Sequence, residues 1–177
     1  MKNIIQNIRR LFFDNSCTCC GEKASDNLIY LCYNCLDKIV RQKSLNKVGD
    51  TYYIWPYKGE FRKLLLEYKN NSRLALGKII SSLIEEEIFK VVYEEDIDYI
   101  VPIPINFRRE QIRGFNQVEE ILKNLNYSFL KTNRVKNTKK MFKILDKEKR
   151  ENNIKNSFKV DKEFKAKNIL IFDDIIT

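Results

Sequence analysis

The sequence predicts an α/β protein with a parallel sheet, preceded by a small cysteine module. From residue 97 onward, short apolar runs of strand length alternate with segments of helical periodicity, which is typical of a parallel sheet. The most apolar of these runs is Ile169–Phe172, and it leads directly into two adjacent carboxylates. All five cysteines lie between positions 17 and 35, so they form a module of their own near the N-terminus.

The spacing of apolar residues predicts the first elements. Residues 1–15 are expected to form an amphipathic helix, because their apolar side chains recur on one helical face. Residues 16–45 hold the cysteine module. The aromatic stretch at 51–59, TYYIWPYKG, reads as extended, and core packing explains it better than base stacking on single-stranded DNA. Helical spacing then predicts helices at 60–69 and 73–93.

The region 51–177 is expected to be a single α/β domain. Two prolines close its first strand, and its last apolar run is expected to be a buried parallel strand. The predicted strands are 97–105, 128–134 and 169–172, and the predicted helices are 116–125 and 146–155.

Composition indicates a globular protein, since hydrophobic residues make up 44% of the chain. No apolar run approaches the roughly 20 residues that a membrane-spanning helix needs. The N-terminus is too charged for a secretory signal. A cytoplasmic protein without a membrane span is therefore expected.

The formal net charge of +9 is concentrated in one segment, because residues 131–167 hold 14 Lys and Arg against 5 Asp and Glu. Such an excess predicts attraction to phosphate, either of nucleic acid or of a polyphosphate substrate. A solvated surface that reflects a bias toward Lys, Asn and Ile is the alternative.

The cysteine spacing indicates a metal site. Cys17-x-x-Cys20 and Cys32-x-x-Cys35 form two knuckles separated by eleven residues. Together they complete a closed, structural zinc site, and the absence of histidine from the chain makes it all-thiolate. Two disulfides are disfavoured inside the cell, and a redox dithiol explains two pairs less well. Cys19 is expected to be a free thiol, because its spacing from Cys17 is too short for a knuckle.

Two carboxylates, Asp173 and Asp174, follow the last predicted strand. Open α/β sheets bind ligands at the carboxyl ends of their strands, so these side chains are candidate ligand-binding residues. Adjacent acidic residues that merely begin a turn are the alternative.

Arginines follow the first predicted strand in the segment VPIPINFRREQIRGFNQ. They lie just before a helix that begins near Asn116, which has the capping-box partner Glu119 three positions later. Guanidinium groups beside a helix N-terminus form an anion site, whereas arginines in a surface loop are the alternative. The candidate residues are Arg108, Arg109 and Arg113.

The order of these motifs resembles the ComF family (ComFC/GntX-like proteins). The resemblance covers nearly all of residues 16–177: the two knuckles, YKGEFRKLLLEYK, VPIP followed by RGFNQ, Arg150-x-x-Asn153, and the apolar strand with its two aspartates. Members of this family join a zinc ribbon to a type I phosphoribosyltransferase-like domain, and the competence members act in DNA uptake. The resemblance therefore implies a phosphoribosyltransferase-like parallel sheet with an N-terminal zinc ribbon.

The resemblance also implies residue roles. Asp173 and Asp174 would contact the ribose hydroxyls of 5-phosphoribosyl pyrophosphate (PRPP), directly or through Mg²⁺. Thr177 would open the loop that holds the 5′-phosphate. The other ligand candidates are three arginines that would face the pyrophosphate and a helix-ending lysine: Arg108, Arg109, Arg113 and Lys69.

Two features depart from the family pattern. Met141 stands where the family has Gln three positions after Thr138. The sequence ends at Thr177, before the glycine-bearing part of the phosphate loop, so the domain is expected to be incomplete at its C-terminus. Three functions remain open: a PRPP- and Mg²⁺-binding protein with an uncertain transferase activity, a non-catalytic adaptor for single-stranded DNA or a competence helicase, and an inactive truncated product.

Overall fold

The structure is a computed structural model, and it describes residues 16–70, 73–136, 146–159 and 165–175. The predicted N-terminal helix and three of the positions discussed above, Thr138, Met141 and Thr177, lie outside these residues. The chain divides into two compact units, Met1–Leu76 and Gly77–Thr177. The predicted division into a zinc ribbon and a separate α/β domain stays a prediction.

The first unit contains the cysteine module, a short hairpin and a helix. Its elements are α1 (Tyr33–Arg41), β1 (Asn46–Val48), β2 (Thr51–Tyr53), α2 (Gly59–Asn70) and the first residues of α3 (Leu74–Glu94). The strands pair antiparallel across a tight turn. The helices predicted at 60–69 and 73–93 are confirmed, because apolar side chains at helical spacing form their buried faces.

Trp55 lies in the core of the first unit. Its ring stacks on Phe61 with 4.3 Å between centroids, and its Nε1 donates to the carbonyl oxygen of Ile39 at 2.9 Å. Tyr53 and Tyr57 of the same aromatic stretch are exposed. The prediction of core packing therefore holds for the tryptophan.

The second unit combines the rest of α3 with short strands and helices. Its elements are β3 (Tyr99–Pro102), α4 (Phe107–Arg113), α5 (Gln117–Asn124), β4 (Asn133–Arg134), α6 (Lys147–Ile154), β5 (Phe158–Lys159) and β6 (Ile169–Phe172). The buried apolar side chains come mainly from α3, β3 and α5: Ile80, Ile84, Ile88, Val91, Ile100, Val118, Ile121 and Leu122.

The strands β3 and β6 pair in parallel, with Tyr99 opposite Ile169 and Pro102 opposite Phe172. Because they are parallel, their carboxyl ends meet at one edge, which we call the carboxyl edge. The described chain is thus a mixed helix and strand protein with two parallel strands. A larger phosphoribosyltransferase-like sheet stays a prediction.

The prediction that the last strand is buried on both faces is wrong for the described residues. Ile169 is 43% exposed and Ile171 is 65% exposed, whereas the alternating residues of β6 are half-buried. Side chains alternate across a strand, and β6 pairs only with β3 in the described part of the chain. One face of this strand is therefore open.

The strand predicted at 128–134 is much shorter in the structure. Only β4 is a strand there, and it pairs antiparallel with β5. The residues before β4 run beside β3, but the bond from the Leu130 N–H to the carbonyl oxygen of Ile100 joins them at a single point. A ladder needs a repeat of such bonds, so this segment does not add to the parallel pair.

The arginine segment between β3 and α5, for which no helix is predicted, forms the helix α4. Asn106 caps α4 by accepting a hydrogen bond from the Arg108 N–H at 2.9 Å. Gly114 ends the helix in a left-handed conformation with φ of +81°, which glycine adopts without steric cost. Within the described residues, no helix has the length and apolar character needed to cross a bilayer.

Candidate functional site

The first cysteine knuckle is a tight turn. The Gly21 N–H donates to the carbonyl oxygen of Cys17 at 2.8 Å, and the φ of Gly21 is +81°. A bridge between Ser16 and Lys23 closes the base of the turn. Glycine is favoured at this position because a side chain in the left-handed region is strained.

The second knuckle is the start of α1. Cys32 is the N-cap residue of this helix, and its Sγ accepts a hydrogen bond from the Cys35 N–H at 3.4 Å. The helix therefore begins between the two cysteines and holds Cys35 in its first turn.

The two knuckles bring four sulfur atoms together. The Sγ atoms of Cys17, Cys20, Cys32 and Cys35 all lie within 4.8 Å of one another, and those of Cys20 and Cys32 are 3.8 Å apart. A tetrahedral zinc site with Zn–S bonds of about 2.3 Å separates its sulfurs by about 3.8 Å. All five cysteines are free thiols, so the disulfide alternative does not describe this fold. The cluster can hold a metal ion and is compatible with structural zinc.

The electrostatics of the cluster favour a cation. Burial raises the pKa of the Cys17 thiol, but backbone N–H groups of Cys20, Cys19 and Cys32 outweigh it and lower the pKa to about 6. Burial and the neighbouring cysteine thiols raise the pKa of Cys35. Because crowded thiolates repel one another, a bound cation is the means by which all four can be ionised together.

Cys19 does not belong to the cluster, in agreement with its predicted free thiol. Its Sγ donates to the carbonyl oxygen of Glu60 at 3.4 Å, and burial raises its pKa to about 11. The Nζ of Lys63 donates to the carbonyl oxygen of Cys19 at 2.8 Å. These two bonds attach the first knuckle to α2.

The carboxyl edge of the parallel pair holds the second candidate site. Asp173 and Asp174 follow β6 at this edge. The Nε2 of Gln117 donates to Oδ2 of Asp174 at 2.8 Å, and the Oε1 of Gln117 accepts from Nη1 of Arg113. A predicted carboxylate and a predicted arginine are thus joined through one buried amide, which is 4% exposed.

The cap of α5 places Gln117 at this edge. The Oδ1 of Asn116 accepts from the Val118 N–H at 3.0 Å, as expected for an N-cap. Its Nδ2 donates to the carbonyl oxygen of Ile103 at 3.3 Å and to Oε1 of Glu119 at 3.2 Å. Asn116 and Glu119 do pair, but through the Asn116 side-chain amide, whereas a capping box would use the Asn116 backbone N–H. The bond to Ile103 attaches the start of α5 to the chain that leaves β3.

Arg134 of β4 brings further charge to this region. Burial lowers the pKa of its guanidinium group, the nearby Arg109 lowers it further, and Asp173 opposes both. The guanidinium carbon lies 5.6 Å from the centre of the Phe158 ring. Arg134 therefore lies within electrostatic range of both Arg109 and Asp173.

The remaining predicted residues are Arg108, Lys69 and Thr177. Arg108 is exposed on the first turn of α4. Lys69 lies at the end of α2 in the first unit. Thr177 lies outside the described residues. Their predicted ligand contacts stay predictions.

Sequence reasoning missed Gln117 and Arg134. Gln117 had a local signal, because it follows the N-cap directly and lies four residues after Arg113 on the way into a helix. Arg134 had no local signal, because its position near the carboxyl edge depends on the pairing of β4 with β5.

A shallow groove of about 440 Å³ lies between α3 and α5 in the second unit. Its lining includes Lys78, Ser81, Lys123 and Asn124, and none of the predicted ligand residues. The grouping of charges at the carboxyl edge is the stronger indication of ligand binding, because groove size alone implies no chemistry.

Comparisons of the chain with protein-family models, curated proteins and solved structures give no match. The functional argument therefore depends on the residues of this chain.

Proposed function

We propose that the chain is a ComF-type, phosphoribosyltransferase-like protein that binds PRPP with Mg²⁺ at the carboxyl edge of β3 and β6. The observation that supports this most is the hydrogen-bonded path from Asp174 through Gln117 to Arg113. This path joins the Asp174 carboxylate, which is suited to hydroxyls or a cation, to the Arg113 guanidinium group, which is suited to phosphate. The open ends of two parallel strands are where such ligands bind in α/β proteins.

The chemistry of PRPP fits this mixture of charges. Carboxylates of Asp173 and Asp174 suit the ribose hydroxyls and a hard divalent cation. Guanidinium groups of Arg113 and Arg109 suit pyrophosphate oxygens, which they can bind in pairs of parallel hydrogen bonds. When bound, Mg²⁺ would neutralise part of the pyrophosphate charge. A transfer reaction belongs to the proposal only if an acceptor is found.

The cysteine cluster has a supporting role in this proposal. Four thiolates leave no open coordination position, so the metal stabilises the fold and does not react. The bonds that Cys19 makes with Lys63 and Glu60 attach the first knuckle to α2 within the first unit.

The proposal predicts that Asp173→Asn combined with Asp174→Asn weakens PRPP binding by about tenfold or more. Each lost hydrogen bond to a charged group costs about 1.5–3 kcal/mol. Isothermal titration calorimetry with PRPP and Mg²⁺ measures the affinity. Glu86→Gln is the matched control, because Glu86 is an exposed carboxylate on α3. Unchanged affinity in a double variant with a wild-type circular dichroism spectrum would contradict the proposal.

A second candidate function is binding of single-stranded DNA, in a non-catalytic adaptor that acts with a competence helicase. The observation that favours it is the basic segment, 131–167. Where the structure describes this segment, most of its lysines are exposed, among them Lys136, Lys149, Lys155 and Lys159. Exposed cations that neutralise phosphates release counterions, which makes binding depend on salt.

This candidate predicts that affinity for a labelled oligothymidylate falls steeply between 50 and 200 mM salt, with a logarithmic slope of about −0.7 for each phosphate contacted. Fluorescence anisotropy measures the binding. Lys149→Glu with Lys155→Glu should weaken it and reduce the slope, whereas Lys90→Glu on α3 should have little effect. Absence of binding at low salt would exclude the DNA-binding function.

A further inference from the structure

We propose that Cys20 is a site of oxidation by peroxide and that Cys32 is its resolving cysteine, so that oxidation releases the metal from the four-cysteine cluster. The first observation is a difference in exposure among the four candidate ligands. Cys20 is exposed, whereas Cys17, Cys32 and Cys35 are buried at 2%, 9% and 2% exposure. A small oxidant from solution therefore reaches the cluster at Cys20.

The second observation is the distance between the sulfurs. The Sγ of Cys20 lies 3.8 Å from that of Cys32. A disulfide needs about 2.05 Å, so a small movement of the exposed side chain brings the two into bonding distance. The Sγ atoms of Cys17 and Cys35 also lie within 4.8 Å of that of Cys20, so the experiment must distinguish the three pairings.

The chemistry balances with hydrogen peroxide as the oxidant. The Cys20 thiolate attacks one peroxide oxygen; the S–O bond forms, the O–O bond breaks, and the leaving hydroxide takes a proton. The sulfenic acid thus formed is attacked at sulfur by the Cys32 thiolate. An S–S bond forms, the S–O bond breaks, and a second hydroxide takes a proton. Two thiolates, one peroxide and two protons give one disulfide and two waters.

The consequence for the metal is the loss of two of its four ligands. A site with two thiolates no longer closes a tetrahedron, so the ion leaves. The new disulfide would join the first knuckle to the N-cap of α1, so the two halves of the module stay connected. A thiol reductant with added zinc would then restore the cluster.

Cys19 supplies the matched control. It is a neighbour of Cys20 in sequence, but it is 5% exposed and its Sγ donates to the carbonyl oxygen of Glu60. Cys19 and Cys20 therefore differ in their exposure to solvent, and we expect peroxide to oxidise Cys20 and not Cys19.

The test uses the full chain loaded with zinc and treated with increasing hydrogen peroxide. A chromogenic chelator follows zinc release, intact mass follows the loss of two hydrogens, and peptide mapping locates the disulfide. We expect one zinc released for each chain oxidised, a Cys20–Cys32 cross-link, and the same behaviour in Cys19→Ala. A 1,3-diketone probe for sulfenic acid should label Cys20 before the cross-link forms.

Several outcomes would overturn the proposal. They are a cross-link between any other pair of cysteines, labelling at Cys19, zinc that stays bound after the cross-link forms, or a chain that binds no zinc. All of these readouts come from the wild-type chain or a variant outside the cluster, so no result depends on a ligand variant that fails to fold.

Discussion

Gln117 occupies the first position of α5, where its side chain is shared between two charged groups. Its Nε2 donates to Asp174 and its Oε1 accepts from Arg113. An amide offers a donor and an acceptor without a net charge. It can therefore hold a carboxylate and a guanidinium group in place together, and leave both charges available to a ligand.

We expect Gln117→Leu to lower the free energy of unfolding by about 1–3 kcal/mol, because both groups lose a buried partner. Urea denaturation measures this, and calorimetry with PRPP and Mg²⁺ should show weaker binding. The control is Gln111→Leu, an exposed position of α4. If Gln117 acts on the ligand through Asp174, replacing Gln117 in the Asp174→Asn variant should not weaken PRPP binding any further. If the two substitutions instead cause additive losses of binding free energy, this role for Gln117 is contradicted.

Among individual residues, the cysteine cluster can be predicted from the sequence, whereas the role of the Gln117 side-chain amide cannot. The ligands follow from two short spacings, Cys17 to Cys20 and Cys32 to Cys35, and each spacing is a local property of the chain. The bond between Gln117 and Asp174 joins residues 57 positions apart. No local pattern contains such a pairing, because it arises only when β6 lies beside β3.

At the scale of elements, the start of β6 is held by one carboxylate. Oδ2 of Asp98 accepts from the N–H groups of Lys167 and Asn168 at 2.7 and 3.0 Å. The N–H of Asn168, and then that of Lys167, lower the pKa of this carboxyl group. Because the pKa is lower in the folded chain, the stabilisation is complete above the ordinary value of 3.8 and is lost as the pH falls through the folded value.

We expect Asp98→Asn to be less stable than the wild type at pH 7. The difference should narrow as the pH falls below 3.8, because the wild-type carboxylate then takes up its proton. Urea midpoints measured across this range test the prediction. Asp50→Asn, in the exposed turn between β1 and β2, is the control for the loss of one carboxylate. If the difference in stability between Asp98→Asn and the wild type is the same at every pH, the hydrogen bonds at position 98 do not require a charged carboxylate, and the prediction is contradicted.

Element prediction succeeded where the signal was local and strong. The positions of α2, α3 and β6 follow from apolar periodicity. The helix α4 was not predicted, although Asn106 and Gly114 flank it, because it has no buried apolar face. The strand predicted at 128–134 was too long, because the length of this strand depends on how many backbone hydrogen bonds it forms with β3 and β5.

At the scale of the whole molecule, the cysteine cluster takes the place of part of a hydrophobic core. Most of the buried side chains between residues 16 and 45 are cysteines; the others are Ala24, Leu31 and Ile39. A module with so few apolar side chains cannot offset its conformational entropy by burial alone. Folding of the first unit should therefore be coupled to metal binding.

We expect a zinc chelator, or Cys35→Ser, to abolish cooperative unfolding of the first unit, because binding energies of roughly 10–16 kcal/mol are available from structural zinc. Zinc affinity should also fall as the pH is lowered, since protons compete for the thiolates. Thermal denaturation with and without chelator measures the first effect, and zinc titration at several pH values measures the second. Cys19→Ala should bind zinc as the wild type does. An unchanged melt after zinc removal would contradict the coupling.

The coarse architecture and the cluster were predictable because both follow from patterns within short segments. The family relationship, the PRPP site and the partners stay predictions. They depend on the arrangement of Asp173, Arg109 and Arg134, which come from three separate elements. Sequence order alone does not specify how such elements meet.

Trp55 has a practical consequence. It is the only tryptophan in the chain, and its indole is bonded to α1, the helix that carries Cys35. Its fluorescence emission therefore reports the surroundings of the cysteine module, without a contribution from any other indole. When the protein is excited at a wavelength that the tyrosines do not absorb, a change in emission on adding or removing zinc would come from the first unit alone, because the second unit has no tryptophan.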